Sequence, residues 1–485
     1  MTVNHPDALL AQVAETLKSK TGLRFHTDRR GDLRRAIASA AREMGFCDWQ
    51  SLALWLLDAP LLRRDIETLA RHLTVGETYF RRDQKIFDFF EQTILPEIAS
   101  MRRPQRRLRI WSAGCSTGEE PYSIAISVQR AVPDWKEWNL TLLATDIHLR
   151  LVERAREGIY RQWSFRNCPD WLKQLYFTRK DSDFEIAPAI REMVSFDYLN
   201  LAEDIYPSLF TGTNAMDVIF CRNVLMYFDA EAAQKAIDSF HRSLVDGGWL
   251  VAGATDAPSS FYSRFEPVRF QGATLYRKSD RKTKPKPADF SKKEIRIPAP
   301  PVVRQKNETR EKKKIPVVEN PLEVARRFYD EGRYDEAIDA LEESLSCGLP
   351  LSEAMTLAAR ARANQGRLRE AREWCEKALV RDKLDPSIHY LLAVITEEEG
   401  NPKSAIAALN RALYIDPDFV MAHFKLAGLK ARTGRSSESR KHFQCVMSLL
   451  TAREGDEILP ESEGITVGRL KAIIQTIADE SGGAI

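Results

Sequence analysis

Residues Leu108 to Ser123 read LRIWSAGCSTGEEPYS. An apolar run of strand type leads into a turn bracketed by Gly114 and Gly118, followed by two adjacent carboxylates and the start of a helix. A backbone that bends sharply and closes on a ligand needs residues without a Cβ, and the two glycines supply them. The turn lacks the Lys–Ser/Thr ending of a phosphate-cradling loop and is no clean G-x-G-x-x-G. Glu119 and Glu120 stand where a pyrophosphate would be repelled. Such a loop suits a ligand rich in hydroxyls or carrying positive charge.

Two further segments extend the site. Asp146 ends the next apolar run, Leu140–Leu143 followed by Ala-Thr-Asp, where doubly wound nucleotide folds place a ribose-binding acid. The spacing from Gly114 exceeds the ~20 residues usual for dinucleotide enzymes, so their rules apply loosely. In Asp217–Phe228, DVIFCRNVLMYF, the buried-strand run Val-Ile-Phe-Cys is followed by polar Arg222 and Asn223. Ligands of open α/β sheets bind at such carboxyl ends. S-adenosylmethionine, with a ribose diol, an ammonium and a sulfonium, fits this set of groups.

Together WSAGCSTGEEPYS, ATDI and FCRNVLMYF, with TVGETYFRRD (Thr74–Asp83), LNL (Leu199–Leu201) and DGGWLVAG (Asp246–Gly253), resemble the CheR family of chemoreceptor methyltransferases over residues 5–278. The resemblance implies a Rossmann-like class I methyltransferase fold of the α/β class. It places an N-terminal helical subdomain at 1–75, a catalytic domain at 76–278 and a small antiparallel β-subdomain near 159–197. It also implies S-adenosyl-L-methionine as methyl donor, S-adenosyl-L-homocysteine as product, and the glutamates of a methyl-accepting chemoreceptor's cytoplasmic domain as acceptors. By motif matching, Glu119 lies near the donor's amino group, Asp146 grips the ribose, and Asn200 and Leu201 flank the adenine. Arg222 and Asn223 lie beside donor and acceptor, and Thr78 and Arg82 close over the donor from the helical side. Gly76 stands where the family commonly has Asn. Arg82 pairs with a carboxylate, and Tyr227, four residues after Asn223 and on its face if a helix starts there, orients the acceptor. The family's β-subdomain touches the receptor; its loop is short here, so a receptor pentapeptide tether is not expected to bind.

Composition narrows the alternatives. At 485 residues the chain should hold more than one domain, and its formal charge of +3 with no basic-aromatic stripe excludes nucleic acid as a default partner. Seven cysteines, at 47, 115, 168, 221, 347, 375 and 445, are scattered singly, which fits reduced thiols in a cytoplasmic protein with no metal site. Cys115 and Cys221 read as small buried residues, and the eight histidines, also scattered, as surface or packing residues. The most apolar run, Leu52–Leu62, is too short to span a bilayer and contains Asp58. Membrane association is therefore expected only through the receptor.

Apolar periodicity predicts helices through 5–73, and then strands near Leu108–Ser112, Leu140–Ala144, Val194–Phe196, Val218–Cys221, Trp249–Gly253 and Thr274–Arg277, alternating with helices. Short strands at Leu175–Thr178 and Phe184–Ile186, around a turn at Arg179–Asp183, predict the antiparallel insertion. Residues 278–318 carry 14 Lys/Arg against 5 Asp/Glu and almost no aromatics, which predicts a basic, solvated linker over 279–318. Beyond it Gly332, Gly366, Gly400 and Gly434 recur every 34 residues, each followed five residues later by Ala337, Ala371, Ala405 or Ser439. That period is the tetratricopeptide (TPR) one. It predicts an all-α solenoid over 319–450 with helix pairs near 321–346, 353–380, 387–414 and 420–449, then a capping segment at 451–485 with a helix at Ile465–Ile477. Such repeats bind a protein partner, which the sequence does not identify. Methyl transfer to an ionised carboxylate is a direct displacement that needs no metal or base triad. The rival readings are a catalytically weak scaffold and a methyltransferase for another acceptor, a small molecule or RNA.

Overall fold

The computed structural model describes residues 6–25, 30–59, 61, 63–74, 76–202, 206–279, 320–346 and 351–480. The expected basic linker lies outside the described residues from 280 onward.

Four helices open the chain: α1 (Pro6–Thr21), α2 (Arg30–Glu43), α3 (Trp49–Asp58) and α4 (Arg63–Leu73). Leu9, Leu10, Val13 and Leu17 make the apolar stripe of α1 and pack with Leu33, Ile37, Leu52 and Leu56. Asp48 starts α3 by accepting from the Ser51 amide at 2.7 Å. Next, α5 (Gln84–Phe89) runs through one π turn into α6 (Leu95–Arg102), and Phe87 of α5 and Phe90 of the π turn pack on Phe220 of the sheet.

The catalytic region follows as β1 (Arg107–Ala113), α7 (Glu119–Ala131), β2 (Asn139–Asp146), α8 (Leu149–Glu157), β3 (Ile159–Tyr160), α9 (Asp170–Tyr176), β4 (Phe177–Lys180), β5 (Asp183–Ile186), α10 (Pro188–Arg191), β6 (Val194–Tyr198), β7 (Met216–Cys221), α11 (Ala230–Ser243), β8 (Leu244–Ala252), β9 (Phe265–Phe270) and β10 (Ala273–Lys278). The main sheet has the order β6-β2-β1-β7-β8-β10-β9, parallel from β6 to β8, with β10 antiparallel to both neighbours. This is the Rossmann-like α/β arrangement. β1 and β7 are buried along their whole length because helices cover both faces. The chain reverses its direction of winding between β1 and β7, which opens a crevice at their carboxyl ends.

Two details differ from the sequence reading. Leu175 and Tyr176 finish α9, so the first strand of the insertion starts at Phe177, and β3 joins β4 and β5 as a third strand. β9 has no counterpart among the predicted strands. Its sequence, FEPVRF, is half-polar and carries Pro267, which a sheet tolerates on an edge.

The C-terminal region is all-helical: α12 (Pro321–Asp330), α13 (Tyr334–Ser346), α14 (Leu351–Asn364), α15 (Leu368–Arg381), α16 (Pro386–Glu398), α17 (Pro402–Ile415), α18 (Val420–Arg432), α19 (Ser436–Thr451) and α20 (Val467–Glu480). Small residues at the repeat positions, Ala337, Ala371 and Ala405, are fully buried where paired helices meet. The solenoid sits against the amino ends of the parallel strands. Arg107 of β1 donates to Glu398 at 2.9 Å, Asn139 of β2 donates to the Glu398 carbonyl at 2.8 Å, and the Gly366 turn abuts Arg107, Ala215 and Val245. Burial pulls the Arg107 guanidinium down to about 10 against the opposing pull of Glu398. No helix among the described residues is long and apolar enough to cross a membrane.

Candidate active site

The crevice at the strand ends is an open cavity walled by the turn after β1, the ends of β2 and β7, and residues of the helical region. Gly114 (φ 84°) forms its floor, and a Cβ there would stand 2.4 Å from Val224. Asp146 accepts the Ser116 amide at 2.8 Å and the His148 amide at 2.9 Å, which holds the turn after β1 against the end of β2. Burial raises its pKa against those hydrogen bonds.

The two adjacent glutamates part company. Glu119 turns away from the cavity into the β-subdomain, accepting from Thr117 at 2.6 Å and Ser164 at 2.9 Å. Glu120 forms part of the cavity wall, accepts from Ser112 at 2.8 Å and pairs with Arg222 at 3.3 Å. Burial raises the pKa of both carboxyls; at Glu120 the Arg222 charge opposes it.

Of Arg81, Arg82 and Arg222, only Arg82 has no carboxylate partner among the described residues. Arg81 is fully buried and pairs with Asp88 and Glu91. Arg222 pairs with Asp83 and Glu120. Arg82 lines the cavity and forms no ion pair among the described residues; its guanidinium reaches only the Glu77 carbonyl at 3.3 Å and the Tyr79 ring at 5.8 Å.

Gly76, Thr78, Asn200, Leu201, Asn223 and Tyr227 also line the cavity. The Asn200 side chain is already committed: it donates to the Lys20 carbonyl at 2.8 Å and accepts from Ala202 at 3.1 Å. It thus ties the end of α1 to the site, where Thr21 and Leu23 become cavity wall. The space an Asn side chain at 76 would need is taken by Leu151, 2.6 Å from a Cβ there. Tyr227 arrives without the helix that its spacing from Asn223 supposed. Asn223 is left-handed (φ 59°) and Leu225–Tyr227 is one 3-10 turn, ahead of α11. Left-handed non-glycine residues gather here, at Arg81, Asp83, Ser116 and Asn223, as strained backbone does around ligand sites.

Sequence reasoning missed Asp256. It is buried beneath the cavity and its carboxylate accepts the amides of Gly253 at 2.6 Å, Asn223 at 2.8 Å and Val224 at 2.9 Å. It fixes the left-handed turn that carries Arg222 and Asn223. The only signal in the sequence is a carboxylate just after a strand end.

The donor set fits S-adenosylmethionine. Three acids, Glu77, Glu120 and Asp146, line the cavity; Ile147, Leu199, Leu201 and Phe228 give it an apolar wall; and the buried side-chain oxygen of Asn223 has no hydrogen-bond partner among the described residues. Residues 76–273 match the family model described as CheR methyltransferase, SAM binding domain. Chemotaxis protein methyltransferase 2 of Vibrio cholerae is 34% identical over 215 residues, covering 44% of this chain and 73% of the relative. The chain belongs to the CheR methyltransferase family. It is an S-adenosylmethionine-dependent methyltransferase of chemotaxis-type signalling. A CheR-family relative from Borreliella burgdorferi, named chemotaxis protein methyltransferase, is 35% identical over 38% of this chain and 65% of its own length. The probable biofilm formation methyltransferase WspC of Pseudomonas aeruginosa is 27% identical over 429 residues, 88% of this chain and 95% of its own. Residues 322–387 and 386–419 match tetratricopeptide repeat models.

Proposed function

We propose that this CheR-family enzyme methylates glutamate side chains on the cytoplasmic domain of a methyl-accepting chemoreceptor, forming glutamyl methyl esters. The observation that carries the reading is the Arg82 guanidinium at the cavity wall, which has no carboxylate partner among the described residues, whereas Arg222 beside it is paired with Asp83 and Glu120. A lone arginine there selects a carboxylate, and Arg holds carboxylates in a bidentate fork.

Bound S-adenosylmethionine supplies an electrophilic methyl on a sulfonium. Glu120 takes the role at the ammonium that motif matching gave to Glu119, since only Glu120 reaches the cavity. Asp146 holds the ribose hydroxyls, and Leu201 and the Leu199–Asn200 backbone flank the adenine. Gly114 and Gly76 line the cavity with backbone, their Cβ space being filled by Val224 and Leu151; Thr78 closes over the donor, and Asn223 offers its unpartnered oxygen. Arg82 aligns the acceptor carboxylate for in-line attack and the Tyr227 hydroxyl steadies it. The acceptor is already ionised near neutral pH, so rate comes from orientation and electrostatics.

The repeats serve as a protein-interaction module. The WspC relative shares both regions and is named for biofilm formation. This favours a receptor system that governs surface growth over one that governs swimming.

The Arg82→Ala protein should methylate receptor about 10²-fold more slowly while its thermal midpoint stays near the parent's. Near-parent methylation by folded Arg82→Ala would remove Arg82 from the reaction.

A further inference from the structure

In the solenoid the first helices of successive pairs, α12, α14 and α16, touch one another more than the second helices do, so they line its inner face. That face is occupied by the chain itself. The segment between α19 and α20 folds back, and its Glu461 pairs with Arg360 of α14. Glu463 lies 4.0 Å from the same guanidinium. Burial first, and then the Glu463 carboxylate, raise the hydroxyl pKa of Tyr329 on α12 and of Tyr390 on α16, which places that charge among three first helices.

The same carboxylate also reaches the catalytic region. Its Oε2 accepts the Leu209 amide at 2.7 Å and the Phe210 amide at 3.3 Å, in the connection between β6 and β7. The Phe210 ring packs tilted against Phe424 of α18, centroids 5.5 Å apart, and Leu209 is buried in the solenoid's core. One carboxylate therefore spans Arg360 on the solenoid and two backbone amides of the catalytic region. Glu461 and Glu463 hold left-handed backbone (φ 60° and 56°), a conformation kept where surrounding contacts over-determine it.

We propose that the inner face around Arg360 is a docking site for an acidic peptide of a partner protein, filled in this conformation by the chain's own Glu461-Ser462-Glu463. The chemistry of the occupant defines the chemistry of the competitor: two carboxylates, one residue apart, at a half-buried guanidinium rimmed by tyrosines. A partner that takes Arg360 displaces Glu463 and removes its hold on Leu209 and Phe210. Partner capture is thereby coupled to loosening of the solenoid from the catalytic region. This rests on the reading of the repeats as an interaction module and deepens it.

The test uses the full chain and a synthetic peptide copying residues 457–466. A covalently attached occupant lowers apparent affinity by the fraction of time it fills the site. The Glu461→Gln/Glu463→Gln protein should therefore bind the peptide at least about tenfold more tightly than the parent. A peptide with the residues matching Glu461 and Glu463 replaced by Gln should bind neither, and Arg360→Ala should lose binding. Peptide saturation should also speed hydrogen exchange at the Leu209 and Phe210 amides. If the double variant unfolds, Glu461→Gln alone, which keeps Glu463 in place, should show a smaller gain. Equal affinity of parent and variants, undiminished binding by Arg360→Ala, or no binding by any of them overturns the proposal. Methyl transfer is not read in this experiment, so its outcome leaves the receptor-glutamate reading to its own test.

Discussion

At Glu120 and Asp146 burial favours the neutral carboxyl, so each protonates at a higher pH than the same group in water. A cationic, hydroxyl-rich ligand needs the ionised form. Affinity for S-adenosylhomocysteine should therefore be full near neutral pH and fall as pH drops through the raised values, starting above the usual carboxylate range. Acidification through that window favours the unliganded fold at these two sites, so the loss is not unfolding. Calorimetry at pH 7.5 and 5.5 checks this, with a thermal midpoint that does not fall as control; constant affinity would contradict it. At this scale the sequence was legible in bringing Gly114 and Asp146 to one cavity, where strand-end position alone decides the placement. It was not legible at the GEEP step, where neighbouring glutamates on one helix turn point about 100° apart and only the Ser164 and Ser112 hydroxyls settle which faces the cavity.

Among the elements, the turn after β7 depends on a side chain from beyond β8. Asp256→Asn keeps the shape but weakens a carboxylate that serves three amides, and an amide left poorly satisfied costs about 1–3 kcal/mol. The variant should bind S-adenosylhomocysteine about tenfold more weakly, by displacing Asn223, while its far-ultraviolet circular dichroism stays that of the parent. Parent-like affinity would show that the turn holds itself. Strands flanked by helices on both faces announce themselves as apolar runs, which is why β1 and β7 were readable. β9 was not, because an edge strand needs no apolar run and tolerates Pro267. Tyr227 reached the cavity by a 3-10 turn where periodicity supposed a helix, since left-handed Asn223 breaks the helical path.

Over the whole molecule, the 34-residue period revealed the helix pairs, yet the way they sit on the catalytic region was invisible in it. That contact joins residues hundreds of positions apart: Arg107 and Arg109 to Glu398, and Leu209 to Glu463. A picture in which the repeats act only as a tethered targeting module, raising local concentration, gives way to one in which they also brace the base of the sheet. Because this base lies at the opposite end of the strands from the cavity, Glu398→Ala should lower the thermal midpoint by several degrees while leaving the initial methylation rate within about twofold of the parent's. Differential scanning calorimetry beside a rate assay decides it, and an unchanged midpoint would mean the ion pairs carry no net stability.

The central claim is that the methyl group passes from S-adenosylmethionine to receptor glutamates. Purified protein incubated with methyl-labelled donor and receptor-bearing membranes from the same cell should place label on the receptor, and mild alkali should release it as methanol. Label that stays fixed in alkali, or that appears on no receptor although the donor binds, would contradict the account.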